Sequence, residues 1–364
     1  MTQVFTFDRP IVLESGATLP GYYLTYSTHG RLNPGGDNVV WVFHAFTANS
    51  DPAQWWPGLI GKGRLLDPAE YFIVCVNMPG SCYGSIGPME NDPYTGVPYF
   101  HDFPYFTIRD MIRSYGPLRE FLGITRIHIG IGGSMGGQQL LEWAIEEPEL
   151  FRYIIPISTN AQHSPWGIAF NAAQRMAIEA DATWKYRTRT AGHAGMKAAR
   201  AIALISYRHY DTYLQMQPRS AGLPTEKEGA GSYQRYQGEK LADRFSAFSY
   251  YVLSQSMDSH DLARGRDSLA AALQQIQART LIIGITSDIL FPLSEQQLLA
   301  SLIPGASFQV IGSLYGHDGF LLEFEQIEQL AREFLSTTKP PAADPAEQIL
   351  TSASQPPATR RHNR

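Results

Sequence analysis

Apolar residues in this chain fall into short unbroken runs separated by stretches with helical spacing, and that alternation predicts a mostly parallel β-sheet with helices on both faces. Runs of core-strand length lie at 39–44, 71–76, 127–131, 153–157, 280–288 and 307–312. They read as continuous Val, Ile and Leu because a strand buried on both faces has no polar side to alternate with. Residues 3–14 and 20–28 read as an opening antiparallel pair of edge strands around the Glu14-Ser15-Gly16 turn, and a helix is expected over about 107–122. The alternation stops near 160. From there to about 265 the spacing is helical and rich in Ala, Arg, Tyr and Gln, with a polar, Gly-containing stretch at 217–232. This predicts a core of 1–159 and 266–336 with a helical cap, 160–265, inserted into it. The tail at 337–364, rich in Pro, Ala, Ser and Thr, is expected to be disordered.

The run at 127–131 leads straight through Gly132-Gly133-Ser134-Met135-Gly136 into an amphipathic helical pattern. A serine at such a junction sits on a sharp strand-to-helix turn, and the flanking glycines leave room for strand and helix to pass closely. The helix start also directs its N–H groups and dipole toward the serine. A nucleophilic serine needs a base and an acid, which in this arrangement follow it in the order acid, then histidine. Asp288 lies at the end of the apolar run that begins at Thr280, and His317 lies in Tyr315-Gly316-His317-Asp318-Gly319 after the run at 307–312. Taken singly, Asp288 reads equally as a helix N-cap and His317 as a loop histidine. With Ser134, both stand in the required order.

Composition narrows the chemistry. The chain has 364 residues, long for one domain, and a formal net charge of −5 with 17% charged residues. No basic surface favours nucleic acid or an anionic membrane, which leaves small molecules as expected partners. Met1 to Pro10 lacks a basic start and an apolar run, and no segment has the roughly 20 apolar residues that span a bilayer; the expected location is the cytoplasm. Cys75 and Cys82 are too few for a disulfide framework and read as free thiols. His101, His128, His163, His193, His209 and His260 show no metal-ligand spacing, so no metal and no bound cofactor are expected. His44 reads as a hydrogen-bonded structural histidine at the end of its strand. The glycines near Ser134 lack the spacing and following acid of a dinucleotide-binding loop.

Several dispersed motifs together resemble the homoserine O-acyltransferases of the α/β-hydrolase superfamily over about residues 10–335. They are His44-Ala45-Phe46-Thr47, Cys82-Tyr83-Gly84-Ser85-Ile86-Gly87-Pro88, Thr107-Ile108-Arg109-Asp110-Met111, Gly133-Ser134-Met135-Gly136-Gly137, Ile168-Ala169-Phe170-Asn171, Tyr233-Gln234-Arg235-Tyr236, Ser287-Asp288-Ile289-Leu290-Phe291-Pro292 and Tyr315-Gly316-His317-Asp318. The resemblance implies an eight-stranded α/β-hydrolase sheet and ping-pong transfer of an acyl group, most often from acetyl-CoA, to the hydroxyl of homoserine on the route to methionine. It implies Ser134, Asp288 and His317 as the triad and the N–H groups of Phe46 and Met135 as the oxyanion hole. It further implies Arg200 on the acceptor's carboxylate, Asp318 on its ammonium, and a homodimer joined through the cap; Tyr207, Tyr210 and Tyr213 could serve such an interface or equally pack against the core. Arg109-Asp110 and Arg264-Gly265-Arg266 are open to two readings, steering of the CoA phosphates or surface ion pairing.

This chain departs from the family pattern at Pro79-Gly80-Ser81-Cys82, at Phe46 and at Thr47-Ala48-Asn49, close to where acyl group or acceptor would lie. Succinyl-CoA as donor and serine as acceptor therefore stay open, because one methylene in a pocket is worth only about 1–3 kcal/mol. The runner-up activity is an esterase or deacetylase, since the same triad hydrolyses esters when water reaches the acyl-enzyme. A silent binding protein is disfavoured, having no use for three chemically matched triad residues.

Overall fold

The computed structural model describes residues 2–217 and 228–337. Residues 218–227 of the polar stretch, and the tail beyond Thr337, lie outside them. The chain opens with β1 (Thr2–Phe7), then β2 (Ile11–Val12), β3 (Thr18–Leu19) and β4 (Tyr22–His29). The single strand expected at 3–14 is therefore two. Pro10 breaks it, having no N–H for a ladder, and the turn around Glu14-Ser15-Gly16 closes only the small β2–β3 hairpin. β1 pairs instead with β4, Thr2 opposite Ser27 and Phe7 opposite Tyr22.

The central alternation follows as β5 (Val39–Phe43), a short α1 (Pro52–Trp55), β6 (Phe72–Val76), α2 (Ile108–Phe121), β7 (Ile127–Gly133), α3 (Met135–Glu146) and β8 (Phe151–Ile157). Among the described residues, five helices then follow one another between β8 and residue 259: α4 (Pro165–Glu179), α5 (His193–Tyr207), α6 (Tyr210–Met216), α7 (Gly229–Ala242) and α8 (Ala247–Asp258). The chain returns through α9 (Leu269–Leu273), β9 (Arg279–Ile285), α10 (Leu293–Leu302), β10 (Ser307–Ile311), α11 (Gly319–Leu322) and α12 (Phe324–Ser336).

Among the described residues, eight strands form one sheet in the order β1-β4-β6-β5-β7-β8-β9-β10. The six from β6 to β10 run parallel, and β4 and β1 are antiparallel at one edge. Parallel strands present their C-terminal ends at one edge of the sheet, which gathers the loops after β5, β7, β9 and β10. Each face has its own apolar layer. Trp41, Phe43, Tyr115 and Trp143 pack on one side, with Trp41 and Trp143 edge to face at 5.0 Å. Trp56, Ile131, Ile283, Ile327 and Phe334 fill the other.

α2 begins with a capping box in which Thr107 accepts from Asp110 N and Asp110 accepts from Thr107 N. Asp110 also accepts from Glu14 N at 2.9 Å. Arg109, mostly buried, donates to Glu142 at 2.7 Å and Glu14 at 2.8 Å. Arg264 reaches the same Glu14 at 2.8 Å, and Arg266 reaches Glu142 at 2.5 Å and Glu146 at 2.8 Å. These arginines are thus committed to an internal network that ties the β2–β3 turn, α2, α3 and the end of the helical segment together. Of the two readings from sequence, ion pairing is the one seen, with most of the pairs partly or fully shielded from solvent, and the donors are engaged by carboxylates and backbone carbonyls.

Candidate active site

Ser134 stands alone between β7 and α3 with φ 56° and ψ −129°, a conformation rare outside glycine. Its N–H donates to Ile157 O at 3.0 Å, and its carbonyl accepts from Gln138 N and from Thr159 Oγ1 at 2.9 Å, so the strained turn is fixed from three sides. The neighbouring glycines are required by contact. A Cβ on Gly136 would lie 2.2 Å from Phe43 O, and one on Gly132 would lie 2.8 Å from Gly136 C. Helix, nucleophile strand and adjacent strand pass too closely for any side chain.

Asp288 lies in the turn after β9 with its side chain fully buried. Its Oδ1 accepts from Leu290 N at 2.8 Å and Phe291 N at 2.9 Å, while Oδ2 takes the Nδ1 of His317 at 2.7 Å. Two backbone donors therefore orient the carboxylate, and the carboxylate holds the imidazole with its proton on Nδ1 and its Nε2 lone pair available. The ring is packed by Phe291 at 5.0 Å, Phe320 at 5.3 Å and Tyr207 at 5.8 Å. Phe320 also lies where Gly133 would carry a Cβ, 2.4 Å away, which places the imidazole beside the serine turn. Neither Ser134 Oγ nor His317 Nε2 is engaged by another described residue.

The loop after β5 abuts the start of α3, since the imagined Cβ of Gly136 is also 3.2 Å from His44 O. Met135 is the first residue of α3, where an N–H has no intrahelical acceptor. Among the described residues, neither its N–H nor that of Phe46 has an acceptor. His44 accepts from Met78 N at Nε2 (3.1 Å), and its Nδ1–H donates to Ala45 O (2.9 Å). Burial lowers its pKa to about 4, so it stays neutral and structural.

The helical segment meets this edge through α5 and α6. Arg200 lies with its guanidinium 5.2 Å from the Tyr207 ring, one aromatic ring away from His317. Its Nε is buried without a hydrogen bond, and no carboxylate among the described residues is in ion-pair range of it. Asp318, expected on the acceptor's ammonium, is paired with Arg208, which reaches its Oδ2 at 3.1 Å. Gly316, at φ 62°, presses against the α5–α6 junction; a Cβ there would lie 2.9 Å from both His209 N and Tyr207 O. Thr212 Oγ1 donates to Leu314 O, fastening the same junction to the histidine loop.

Of the three tyrosines considered for a subunit contact, only Tyr210 is well exposed, at 74%. Tyr207 faces His317, and the Tyr213 hydroxyl is buried. Sequence reasoning considered Tyr207 only as a subunit or core contact and missed its place beside His317, although it follows Arg200 by two helical turns and so shares its face. It also passed over Arg208 and Arg244, whose partners Asp318, Thr47 and Tyr83 are far away in sequence. The fold gathers His193, Glu239 and Asp243, with possible ligand atoms all within 4.8 Å, a grouping that spacing did not suggest; Lys197 already pairs with Glu239 at 2.6 Å. Cys75 and Cys82 are free, and burial raises both thiol pKa values. Among the described residues, no helix is long and apolar enough to cross a membrane.

The family model described as alpha/beta hydrolase fold matches residues 38–324. A homoserine O-acetyltransferase of Cyclobacterium marinum is 46% identical over 335 residues, which cover 92% of this chain and 95% of that protein. The crystal structure of homoserine O-acetyltransferase from Bacillus anthracis superposes with a TM-score of 0.86 at 25% identity, covering 93% of this chain and 98% of that one. Esterase E22 superposes with a TM-score of 0.85 at 22% identity, covering 92% of this chain and all of that one, a likeness of fold.

Proposed function

Because the chain belongs to the homoserine O-acetyltransferase family, built on the alpha/beta hydrolase fold, we propose that it transfers an acetyl group from acetyl-CoA to the side-chain hydroxyl of homoserine, yielding O-acetylhomoserine and CoA on the route to methionine. Ser134 Oγ attacks the thioester carbonyl as His317 Nε2 takes its proton, and Asp288 steadies the imidazolium. The N–H groups of Met135 and Phe46 receive the oxyanion; one such donor typically supplies roughly 3 kcal/mol of transition-state stabilisation. The tetrahedral intermediate collapses, the thiolate leaves with the proton from His317, and an acetyl-Ser134 ester remains. His317 then deprotonates the homoserine hydroxyl as it attacks the ester carbonyl, and returns that proton to Ser134 Oγ as the second tetrahedral intermediate collapses to O-acetylhomoserine.

The observation that carries transfer over hydrolysis is the uncompensated guanidinium of Arg200, beside Tyr207 and close to the base. Arg200 is half-buried with its Nε unsatisfied, a cation that a ligand's charge would complete, and an amino-acid carboxylate fits its two-pronged face. Asp318, held by Arg208 through one oxygen, offers its other oxygen to the acceptor's ammonium. A protein that only hydrolysed esters would have no use for that cation. Two copies joined through the helical segment complete the proposal, with exposed Tyr210, Leu214 and Met216 as the apolar surface on offer.

The test is thiol release from acetyl-CoA with homoserine, with serine and with no acceptor, using Ser134→Ala as control. Homoserine-dependent release that the substitution abolishes is the expected result. Equal release without acceptor makes the protein a hydrolase, preference for serine moves the acceptor, and an inert acetyl-CoA directs the assay to succinyl-CoA.

A further inference from the structure

The oxyanion loop is connected to the helical segment by hydrogen bonds that form a continuous line. Arg244, in the link between α7 and α8, donates through Nη1 to Thr47 O at 2.7 Å and to the Tyr83 hydroxyl at 2.5 Å. Thr47 C=O belongs to the same peptide group as Ala48 N–H, which donates to Ala45 O at 3.0 Å. Ala45 C=O in turn belongs to the same peptide group as Phe46 N–H. Ala45 O receives a second bond from His44 Nδ1–H, so two donors converge on it. A donor on a carbonyl oxygen draws electron density from its peptide group and strengthens the N–H on the other side, and linked bonds reinforce one another by roughly 10–30% each. The line thus starts at a cation and ends at Phe46 N–H.

No carboxylate among the described residues is in ion-pair range of Arg244. Arg244 is itself exposed, so solvent screens its charge at a distance, and it acts on the loop through the direct hydrogen bond to Thr47 O. The other end of the loop is separately anchored, Ser50 N donating to Asn77 Oδ1 at 2.7 Å, and Asn77 Nδ2 donating to Tyr83 O at 2.7 Å. Tyr83 is thus tied to the loop through its carbonyl and to Arg244 through its hydroxyl.

We propose that Arg244 is a positioning residue for acyl transfer, which orients and polarises the Phe46 N–H through the Thr47–Ala48 and Ala45–Phe46 peptide groups and so makes the strength of the oxyanion hole depend on the seating of the helical segment. This rests on the reading of Phe46 N–H as an oxyanion donor. Removing a direct donor typically costs about 10²–10³ in rate. A group acting through two peptide units supplies a fraction of that, so Arg244→Ala is expected to slow acetylation of Ser134 by about five- to tenfold.

The experiment follows the pre-steady-state burst of 4-nitrophenol from 4-nitrophenyl acetate, which reports acetylation of Ser134 without any acceptor. Wild type, Arg244→Ala, Arg244→Lys and Ser134→Ala are compared, with the KM for homoserine and the unfolding midpoint measured for each. The expected pattern is a slower burst in Arg244→Ala with an unchanged homoserine KM, saturable recovery on adding guanidinium ion, and an intermediate rate in Arg244→Lys. A burst within twofold of wild type overturns the proposal. So does a loss that guanidinium does not restore and that comes with a lower unfolding midpoint and a raised homoserine KM, the mark of general loosening. A burst surviving in Ser134→Ala instead defeats the catalytic reading beneath it, and a normal burst pattern without homoserine-dependent turnover defeats the acceptor assignment while leaving the role of Arg244 intact.

Discussion

The sheet and the helices between β8 and β9 contribute to the same site by different physical means. On the sheet side, position is set by collision: Ser134 is fixed because Gly132, Gly136 and Phe43 leave no free space, and Asp288 is fixed by two backbone N–H groups. In the helical segment, position is set by charge. Arg175 is held by Asp258 at 2.6 Å, Arg187 by Asp102 at 2.6 Å and Arg208 by Asp318 at 3.1 Å, whereas Arg200, like Arg244, has no such partner among the described residues. The difference teaches that the reaction type is built into backbone geometry, which tolerates little change. On the proposed function, the choice of acceptor rests with side chains that can be altered without disturbing the nucleophile.

That contrast is open to direct attack. Ser134→Ala should lower turnover by about a million-fold, as loss of a triad nucleophile does, while the unfolding midpoint stays put; a large shift in the midpoint would mean that the strained serine also supports the fold. Gly136→Ala should destabilise the protein by about 3 kcal/mol or more, because the new methyl meets backbone rather than a movable side chain. Chemical denaturation measures this, and a change under 1 kcal/mol would show that β5 can give way. Arg200→Ala should raise the KM for homoserine about 100-fold, from the loss of charge-assisted hydrogen bonds, with the acetylation step nearly untouched. Steady-state kinetics combined with the burst assay separates the two, and an equal loss in both would erase the division of labour.

The smallest effect concerns pH. Burial lowers His44 and His260 to about 4 and His163 to about 3, against an ordinary value of 6.5. The unfolded chain therefore binds protons that the folded chain refuses, so this stabilisation is complete above about pH 7 and is lost as pH falls from 6.5 toward 4. At pH 6 the expected loss is about 0.8 kcal/mol for each histidine. Thermal melts from pH 8 to 5 check it, and since His44 lies in the core loop and the other two at the base of the helical segment, single His→Gln variants would show which region yields first.

Much of the sheet, and the sharp turn at Ser134 with the Asp288–His317 pair, was legible because short motifs and local periodicity encode them. Val39 to Phe43 and Ile127 to Gly133 announce buried strands, and the glycines around Ser134 announce a tight turn. The first strand was misread because an apolar tally passed over Pro10. What sequence did not reveal is pairing across long separations: Glu14 with Arg264, Arg208 with Asp318, and Arg244 with Thr47 join residues that no local window contains. Arg200 and Asp318 were singled out only through family resemblance. That Arg208 shares Asp318 was hidden from both routes, because an arginine in a helical segment carries no mark of the carboxylate it will meet.

Gly316 bears on how such a protein can be remodelled. With no room for a methyl between the histidine loop and the junction of α5 and α6, the two surfaces are moulded to each other. A helical segment grafted from a relative, to confer its taste for another alcohol, would arrive with a junction shaped to a different loop. Residues 313–318 should therefore travel with residues 193–216 as one inherited cassette, and a chimera that crosses over between them would receive a new acceptor pocket together with a displaced base.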